Sequence, residues 1–299
     1  MSTPSAPNHH TSPCPATVAV IGGGRMGAGI AQSFAAFGSQ VTIAETHDPA
    51  AALDRVRTGL DRAAERGKLN DDPATVLARV STVDAPGEIP ADADLVIEAV
   101  PEDIALKLAV LGEVAARVSD HAVIASNTSS LPIGELSSAV GSPQRFLGMH
   151  FFNPVPASSL VELIRGKETA EATVQDAKTW VDALGKTAII VNDSPGFATS
   201  RLGVHLGLEA IRMLEEGVAD AESIDRAMEL GYRHPMGPLR STDLVGLDIR
   251  LAVAKHLAAT LGPRFEPPQL MRDMVARGEL GRKTGKGFYT WDSSGKATS

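Results

Sequence analysis

The sequence predicts an α/β fold: an N-terminal domain with a doubly wound, mostly parallel sheet, followed by an all-helical C-terminal domain. Three observations predict it. Short apolar or β-branched runs alternate with helical patterns from Thr17 to Val191, as parallel strands joined by helices do. The first run, Thr17–Ile21, leads directly into Gly22-Gly23-Gly24-Arg25-Met26-Gly27 and a helical pattern reaching Phe37. After Asn192-Asp193-Ser194-Pro195-Gly196, an N-cap followed by proline, only helical patterns follow. The expected divisions are a disordered tail over 1–15, a first domain over 16–193 and a second over 194–299.

The chain has 299 residues, with 43% hydrophobic and 21% charged. That suits two domains with sizeable cores. A formal net charge of −8 argues against a general nucleic-acid binder, which needs a basic field. No uninterrupted apolar stretch is long enough for a membrane span, and one cysteine, Cys14, fits a reducing cytoplasm without disulfides. The first fifteen residues lack the apolar segment of a secretory signal. Cys14 and the His9-His10 pair read as inert parts of the tail, and no metal site is expected.

Gly22, Gly24 and Gly27 fill a G-x-G-x-x-G spacing. One glycine allows the tight turn, one lets the backbone approach a pyrophosphate, and one lets helix pack on strand. Arg25 and Met26 open the helix, whose free N–H groups would face the phosphates. The next run, Gln40–Ala44, ends in Glu45, about 20 residues on, where a carboxylate holds the ribose hydroxyls of NAD and repels the extra phosphate of NADP. These features imply a Rossmann-type NAD-binding domain.

Asp48 to Lys68 reads as a helix carrying Arg55, Arg57, Arg62 and Arg66. Arg62 and Arg66, four apart, share a face. This edge suits a phosphate or is simply a solvated face; composition leaves both open. Strands are expected over 94–100 and 122–125 with an amphipathic helix near 103–118 between them, the second strand ending in Ser126-Asn127-Thr128-Ser129-Ser130. Small polar groups at a strand's carboxyl end sit where open α/β sheets bind ligands, though they also serve as helix caps.

Phe146–Met149 is a buried-strand pattern that delivers His150, Phe151, Phe152, Asn153 and Pro154. The chain then returns as Leu160-Val161-Glu162-Leu163-Ile164. A buried Glu162 needs a partner, and His150 is the nearest candidate if the two runs pair. A carboxylate-oriented imidazole suits a general base; a structural His–Glu bond is the other reading. A helix over 170–184 and a strand over 187–191 complete the first domain. Helical patterns then run over 197–216, 221–230, 239–261 and 268–277. Gly281-Arg282-Lys283-Thr284-Gly285-Lys286-Gly287-Phe288-Tyr289 lacks the Walker spacing and a preceding strand, which excludes a P-loop.

Taken together, the glycine loop, SNTSS at 126–130, HFFNP at 150–154, PMGP at 235–238 and GRKTGKGFY at 281–289 resemble the short-chain L-3-hydroxyacyl-CoA dehydrogenase family, most closely its bacterial 3-hydroxybutyryl-CoA branch. The resemblance spans about 18 to 289. It implies His150 as catalytic base, Glu162 as the carboxylate that orients it, and Ser129 as a donor to the substrate C3 oxygen. It implies Glu102, Lys107, Asn153 and Lys283 at the dinucleotide, Arg62 and Arg66 against CoA, and a homodimer formed through the helical domain. One position departs: the resemblance implies a catalytic asparagine on the first helix of the second domain, where this chain has Ser200. Two other readings stand beside it. A dehydrogenase of free hydroxy or sugar acids would use a lysine on that helix, and residues 197–216 contain none. A weak or non-catalytic dinucleotide- or CoA-binding homologue is the second, prompted by Ser200.

Overall fold

The computed structural model describes residues 14–298, which divide into two compact units, one ending at Asp193 and one beginning at Ser194. In the first, β-branched runs form strands: β1 (Thr17–Ile21), β2 (Gln40–Ala44), β3 (Val80–Val83), β4 (Leu95–Glu98), β5 (Val123–Ser126), β6 (Phe146–Phe151), β7 (Leu160–Arg165) and β8 (Thr187–Asn192). Between them lie α1 (Arg25–Ala36), α2 (Pro49–Glu65), α3 (Pro73–Leu77), α4 (Ile104–Arg117), α5 (Ile133–Leu136) and α6 (Glu171–Ala183). Asp48, Asp72 and Asp103 cap α2, α3 and α4 through their carboxylates, satisfying N–H groups the first turn cannot.

The strands form one eight-stranded sheet in the order β3-β2-β1-β4-β5-β6-β7-β8. All pairings are parallel except β6 with β7. Strands buried on both faces read as continuous apolar runs, as in β1 and β4. The core contains Val18, Val20, Ile30, Phe34, Ile43, Leu95, Ile97, Leu147, Met149 and Phe151. Strand order reverses between β1 and β4, and the loops beyond the carboxyl ends of such strands are the expected ligand region. The pair α3 and β3 had no periodicity strong enough to single out in the sequence, and β3 closes one edge of the sheet.

The amino-terminal boundary differs from expectation. Cys14 is buried in the core of the first unit, and Ser39 Oγ donates to the Pro15 carbonyl at 2.7 Å. Both residues are thereby part of the domain; burial raises the Cys14 pKa. The His9-His10 pair lies outside the described residues.

The second unit contains α7 (Thr199–Glu215), α8 (Ala221–Arg226), α9 (Pro238–Val245), α10 (Leu247–Leu261) and α11 (Gln269–Ala276). The single helix expected over 239–261 is two, divided at Gly246, whose φ of 105° suits glycine and breaks helical geometry. The pattern expected over 221–230 ends as α8 followed by a π-helical turn, Ala227–Gly231. A small antiparallel ribbon, β9 (Thr290–Trp291) and β10 (Ala297–Thr298), accompanies the helices of this unit. Buried Asp243 accepts from Phe288 N, Tyr289 N and Trp291 Nε1, each at 2.9 Å. Buried Asp225 accepts from Leu239 N, Arg240 N and the Tyr289 hydroxyl. Two carboxylates thus anchor the GRKTGKGFY stretch to the helices. Burial still pushes the Asp243 carboxyl up, against those three donors. Among the described residues no helix is long and apolar enough to cross a membrane.

Candidate active site

The glycine loop shows a different physical need at each position. Gly22 has φ 100°, and a Cβ there would lie 2.9 Å from the Ala99 carbonyl. Gly24 opens onto nothing within 4 Å, leaving the start of α1 accessible to a phosphate. At Gly27 a Cβ would lie 1.8 Å from the Gly22 carbonyl, so only glycine lets α1 pack on the loop. Arg25 is exposed and Met26 half-buried in the first turn of α1. This cradle fits a dinucleotide pyrophosphate.

Glu45 at the end of β2 accepts from Gly23 N (2.8 Å) and His47 N (3.0 Å). Burial alone would raise its pKa, but these N–H donors outweigh it and hold the carboxyl below its usual range. Arg55 extends to the other side of the same peptide and donates to the Gly23 carbonyl at 3.1 Å. It therefore belongs to the glycine loop rather than to the cationic edge formed by Arg62 and Arg66, which are exposed at the end of α2.

Beyond β6, the pairing places His150 directly opposite Glu162 on β7, and His150 Nδ1 lies 2.7 Å from Glu162 Oε2. Glu162 is 0% exposed and His150 7%. Side chains alternate across a strand, so Met149 and Phe151 enter the core while His150 faces the other side. Phe151 packs edge-on against Phe34 at 6.5 Å, away from the imidazole. Phe152 lies against the His150 ring, centroids 4.4 Å apart and tilted 48°. An ionised carboxylate at Nδ1 requires a donor there, so the neutral ring carries its lone pair on Nε2. Asn127 Oδ1 accepts the Phe151 N–H at 2.8 Å, tying the SNTSS turn to the strand that presents His150. Asn153 is exposed just past this strand. The following loop is clamped by buried Lys186, which donates to the Val155 and Ser158 carbonyls at 2.7 and 2.6 Å.

Behind the carboxyl ends of β4 and β5 lies a charged network that joins Lys107 and Glu102, both named in the sequence reading, to Glu98, which was not. Glu98 (0% exposed) and Lys107 (1%) form a buried ion pair at 2.6 Å. Removing one partner of such a pair costs about 3–5 kcal/mol, because the other charge stays buried. Lys107 also donates to the Val100 carbonyl at 3.2 Å and lies 3.3 Å from Glu102 Oε2. Its ammonium thus donates to Glu98 and Val100 and pairs with Glu102. Lys107, which the family resemblance places at the dinucleotide, is held among these acceptors with 1% of its surface exposed. Glu102 Oε1 accepts from Thr128 Oγ1, Ser129 N and Ser130 N at 2.6, 2.9 and 3.1 Å. The signal that could have found this network is the one that exposed Glu162: a carboxylate inside an apolar strand, Leu95-Val96-Ile97-Glu98.

In the second unit Ser200 sits in the first turn of α7, and Lys283 Nζ pairs with both oxygens of Asp248 at 2.6 Å. Among the described residues no group of three or more His, Cys, Asp or Glu is disposed to hold a metal ion.

Residues 17–194 match the family model described as "3-hydroxyacyl-CoA dehydrogenase, NAD binding domain", and residues 196–291 match "3-hydroxyacyl-CoA dehydrogenase, C-terminal domain". The chain is 43% identical over 282 residues to the 3-hydroxybutyryl-CoA dehydrogenase of Mycobacterium tuberculosis, covering 92% of this chain and 98% of that one. It is 38% identical over 285 residues to the mitochondrial hydroxyacyl-coenzyme A dehydrogenase of Rattus norvegicus, covering 92% and 90%. The crystal structure of (S)-3-hydroxybutyryl-CoA dehydrogenase from Ralstonia eutropha superposes with a TM-score of 0.89 at 41% identity, covering 93% of this chain and all of that one.

The glycine cradle generates one prediction. Gly27→Ala, whose added methyl meets backbone that cannot swing aside, is expected to weaken NADH binding more than 10-fold in a fluorescence titration, since about 1.4 kcal/mol of displaced contact already gives that factor. Unaltered binding would mean that the dinucleotide is held elsewhere.

Proposed function

The chain belongs to the 3-hydroxyacyl-CoA dehydrogenase family, and from that premise we propose that it interconverts L-3-hydroxybutyryl-CoA and acetoacetyl-CoA with NAD. The observation that carries this reading is the buried His150–Glu162 pair at the end of β6, 2.7 Å apart, on the strand beside the SNTSS turn. NAD, when bound, supplies the hydride acceptor. His150 Nε2 takes the C3 hydroxyl proton as the alcohol becomes a ketone, and returns it in the reverse direction. Glu162 fixes the ring's tautomer and stabilises the imidazolium that forms. Ser129 donates to the C3 oxygen, and Ser200 stands where the family resemblance implies a catalytic asparagine. Gly22, Gly24, Arg25, Met26 and Gly27 receive the pyrophosphate, and Glu45 reads the adenosine ribose. Within the first unit Glu102, Lys107 and Asn153 complete the dinucleotide contacts, Arg62 and Arg66 meet the CoA phosphates, and Lys283 is the second unit's residue that the family resemblance assigns to the dinucleotide.

The short-chain substrate rests on the names of the relatives above. The alternative reading, a dehydrogenase of free hydroxy acids, loses support from the absence of lysine in α7. A cytoplasmic location agrees with the single cysteine. The helical unit exposes Leu202 (70%) on α7 and Ile249 (50%) on α10. Large exposed apolar side chains on one unit support a homodimer built there.

Three measurements test this reading. Acetoacetyl-CoA should be reduced by NADH in a spectrophotometric assay, and His150→Gln should lower turnover roughly 10²–10⁴-fold with NADH affinity unchanged. A variant of near wild-type rate removes His150 from the mechanism. Ser200→Asn, which lengthens the donor, is expected to raise kcat/KM about 5-fold, the worth of one ~1 kcal/mol hydrogen bond; a fall would show a site fitted to serine. Leu202→Glu should convert a dimer to monomers in light scattering, and an unaltered mass would place the interface elsewhere.

A further inference from the structure

Two opposite charges converge on Gly23. Glu45 Oε2, at the end of β2, accepts its N–H at 2.8 Å, and Arg55 on α2 donates to its carbonyl at 3.1 Å. A Cβ on Gly23 would lie 2.3 Å from the Ala52 Cβ and 3.2 Å from Glu45 Oε2. Helix α2 therefore rests directly on the glycine loop, and Arg55, three residues on from Ala52, shares the face that meets it. The arginine carries its charge there uncompensated. Among the described residues it has no carboxylate within ion-pair distance: Glu45 has His47 beside it, and Asp54 pairs with Arg57. Its neighbours three and four residues away on the helix, Ala51, Ala52, Thr58 and Gly59, cannot supply one. One of the five guanidinium N–H groups serves the Gly23 carbonyl. The rest of the fork meets no protein acceptor among the described residues.

We propose that Arg55 is a specificity-determining residue of the dinucleotide site: a receptor for the 2′-phosphate of NADP that the carboxylate of Glu45 masks. The proposal rests on the reading of the glycine loop and Glu45 as that site. A carboxylate that holds the hydroxyls of the adenosine ribose stands next to any phosphate carried on the 2′ oxygen, and an arginine nearby is the group that accommodates such a phosphate. Burial favours the neutral form of Glu45, but the His47 and Gly23 N–H donors outweigh it and keep the carboxyl ionised. Glu45 thus repels the extra phosphate while the guanidinium across Gly23 attracts it, and a planar fork suits phosphate oxygens. The preference for NAD then comes from one carboxylate, not from a lack of cations. The other charged groups nearby are His47, 3.6 Å from Glu45 Oε1 with its side chain 92% exposed, Arg25, exposed in the first turn of α1, and Asp48, which caps α2 through Ala51 N. Of the three basic side chains, Arg55 is the one bonded to the glycine loop among the described residues.

The experiment is a pair of fluorescence titrations, with NADH and with NADPH, at about pH 8, where a phosphate monoester carries close to two charges. The quantity read is the ratio of the two dissociation constants, NADPH over NADH. Glu45→Gln, which keeps one oxygen for the Gly23 N–H, should lower that ratio about 10-fold or more relative to wild type. Adding Arg55→Met, which keeps the aliphatic stem, should raise it again by about 10-fold, the worth of one charge-assisted bond. Adding Arg55→Lys, which keeps the charge, should raise it less. A ratio that Arg55→Met leaves where Glu45→Gln put it overturns the proposal, because an arginine that only braces the loop, or one that meets the pyrophosphate, weakens both dinucleotides alike. A ratio restored by Arg25→Met or His47→Ala, with Arg55→Met silent, also overturns it and moves the receptor to that side chain. The wild type tests the underlying reading separately: if it binds no NADH, the dinucleotide site itself is misassigned and the proposal falls with it. If NADH binds and is weakened by Gly27→Ala while the ratio ignores Arg55, only the role of Arg55 fails.

Discussion

A carboxylate with no exposed surface must have a hydrogen-bond donor, and for Glu162 the donor is the imidazole across the ladder. That constraint fixes the register of β6 against β7: a slip of one residue would put Glu162 opposite an apolar side chain and turn every alternating residue to the wrong face. It also accounts for the one antiparallel pairing in a parallel sheet. The connection 152–159 is far too short for a crossover, which takes about a dozen residues or more. The chain therefore turns back at once, and the turn is tied down by Lys186 through the Val155 and Ser158 carbonyls. Burial lowers the Lys186 pKa, and those two carbonyls are what make a buried ammonium tolerable there. The imidazole is thus presented at a strand end by a structure with little freedom to move it.

The same logic repeats at β4. Glu98 is buried at the strand's end, and its partner comes from the first turn of the next helix. Both pairs lie on the carboxyl-end side of the sheet, next to loops that carry the glycine cradle and the SNTSS turn. Placing charge there demands compensation from neighbours, and the compensation organises the loops: Ser126, Thr128, Ser129 and Ser130 all bond to one of two carboxylates. The parallel strands bring these separate segments to one edge, which is why residues from 22 to 162 share a region.

In the helical unit the organising groups are again acids. Asp225 and Asp243 collect donors from α9 and from residues 288–291, so that GRKTGKGFY serves as a structural closure, with Lys283 projecting from it to Asp248. Its glycines answer to this packing: a Cβ at Gly287 would lie 2.1 Å from Asp243 Oδ1. The resemblance to a phosphate loop is one of composition alone.

Much of this was legible in the chain because it is written in local pattern. Apolar period and turn residues determined β1, β2, β4–β8 and α1, α2, α4, α6 and α7, and the glycine spacing with Glu45 identified the dinucleotide cradle. Glu162 was conspicuous as a charge inside an apolar run, and its motif neighbours carried the family resemblance. Other features depend on who packs against whom. The break at Gly246 hides inside a helical period, the short α3–β3 pair is stabilised by the sheet edge it closes, and Cys14 is buried by the core it packs into. Lys107 shows the difference most clearly. In the sequence it is one charge on an amphipathic helix, and only the fold, by burying Glu98 beside it, turns that charge inward.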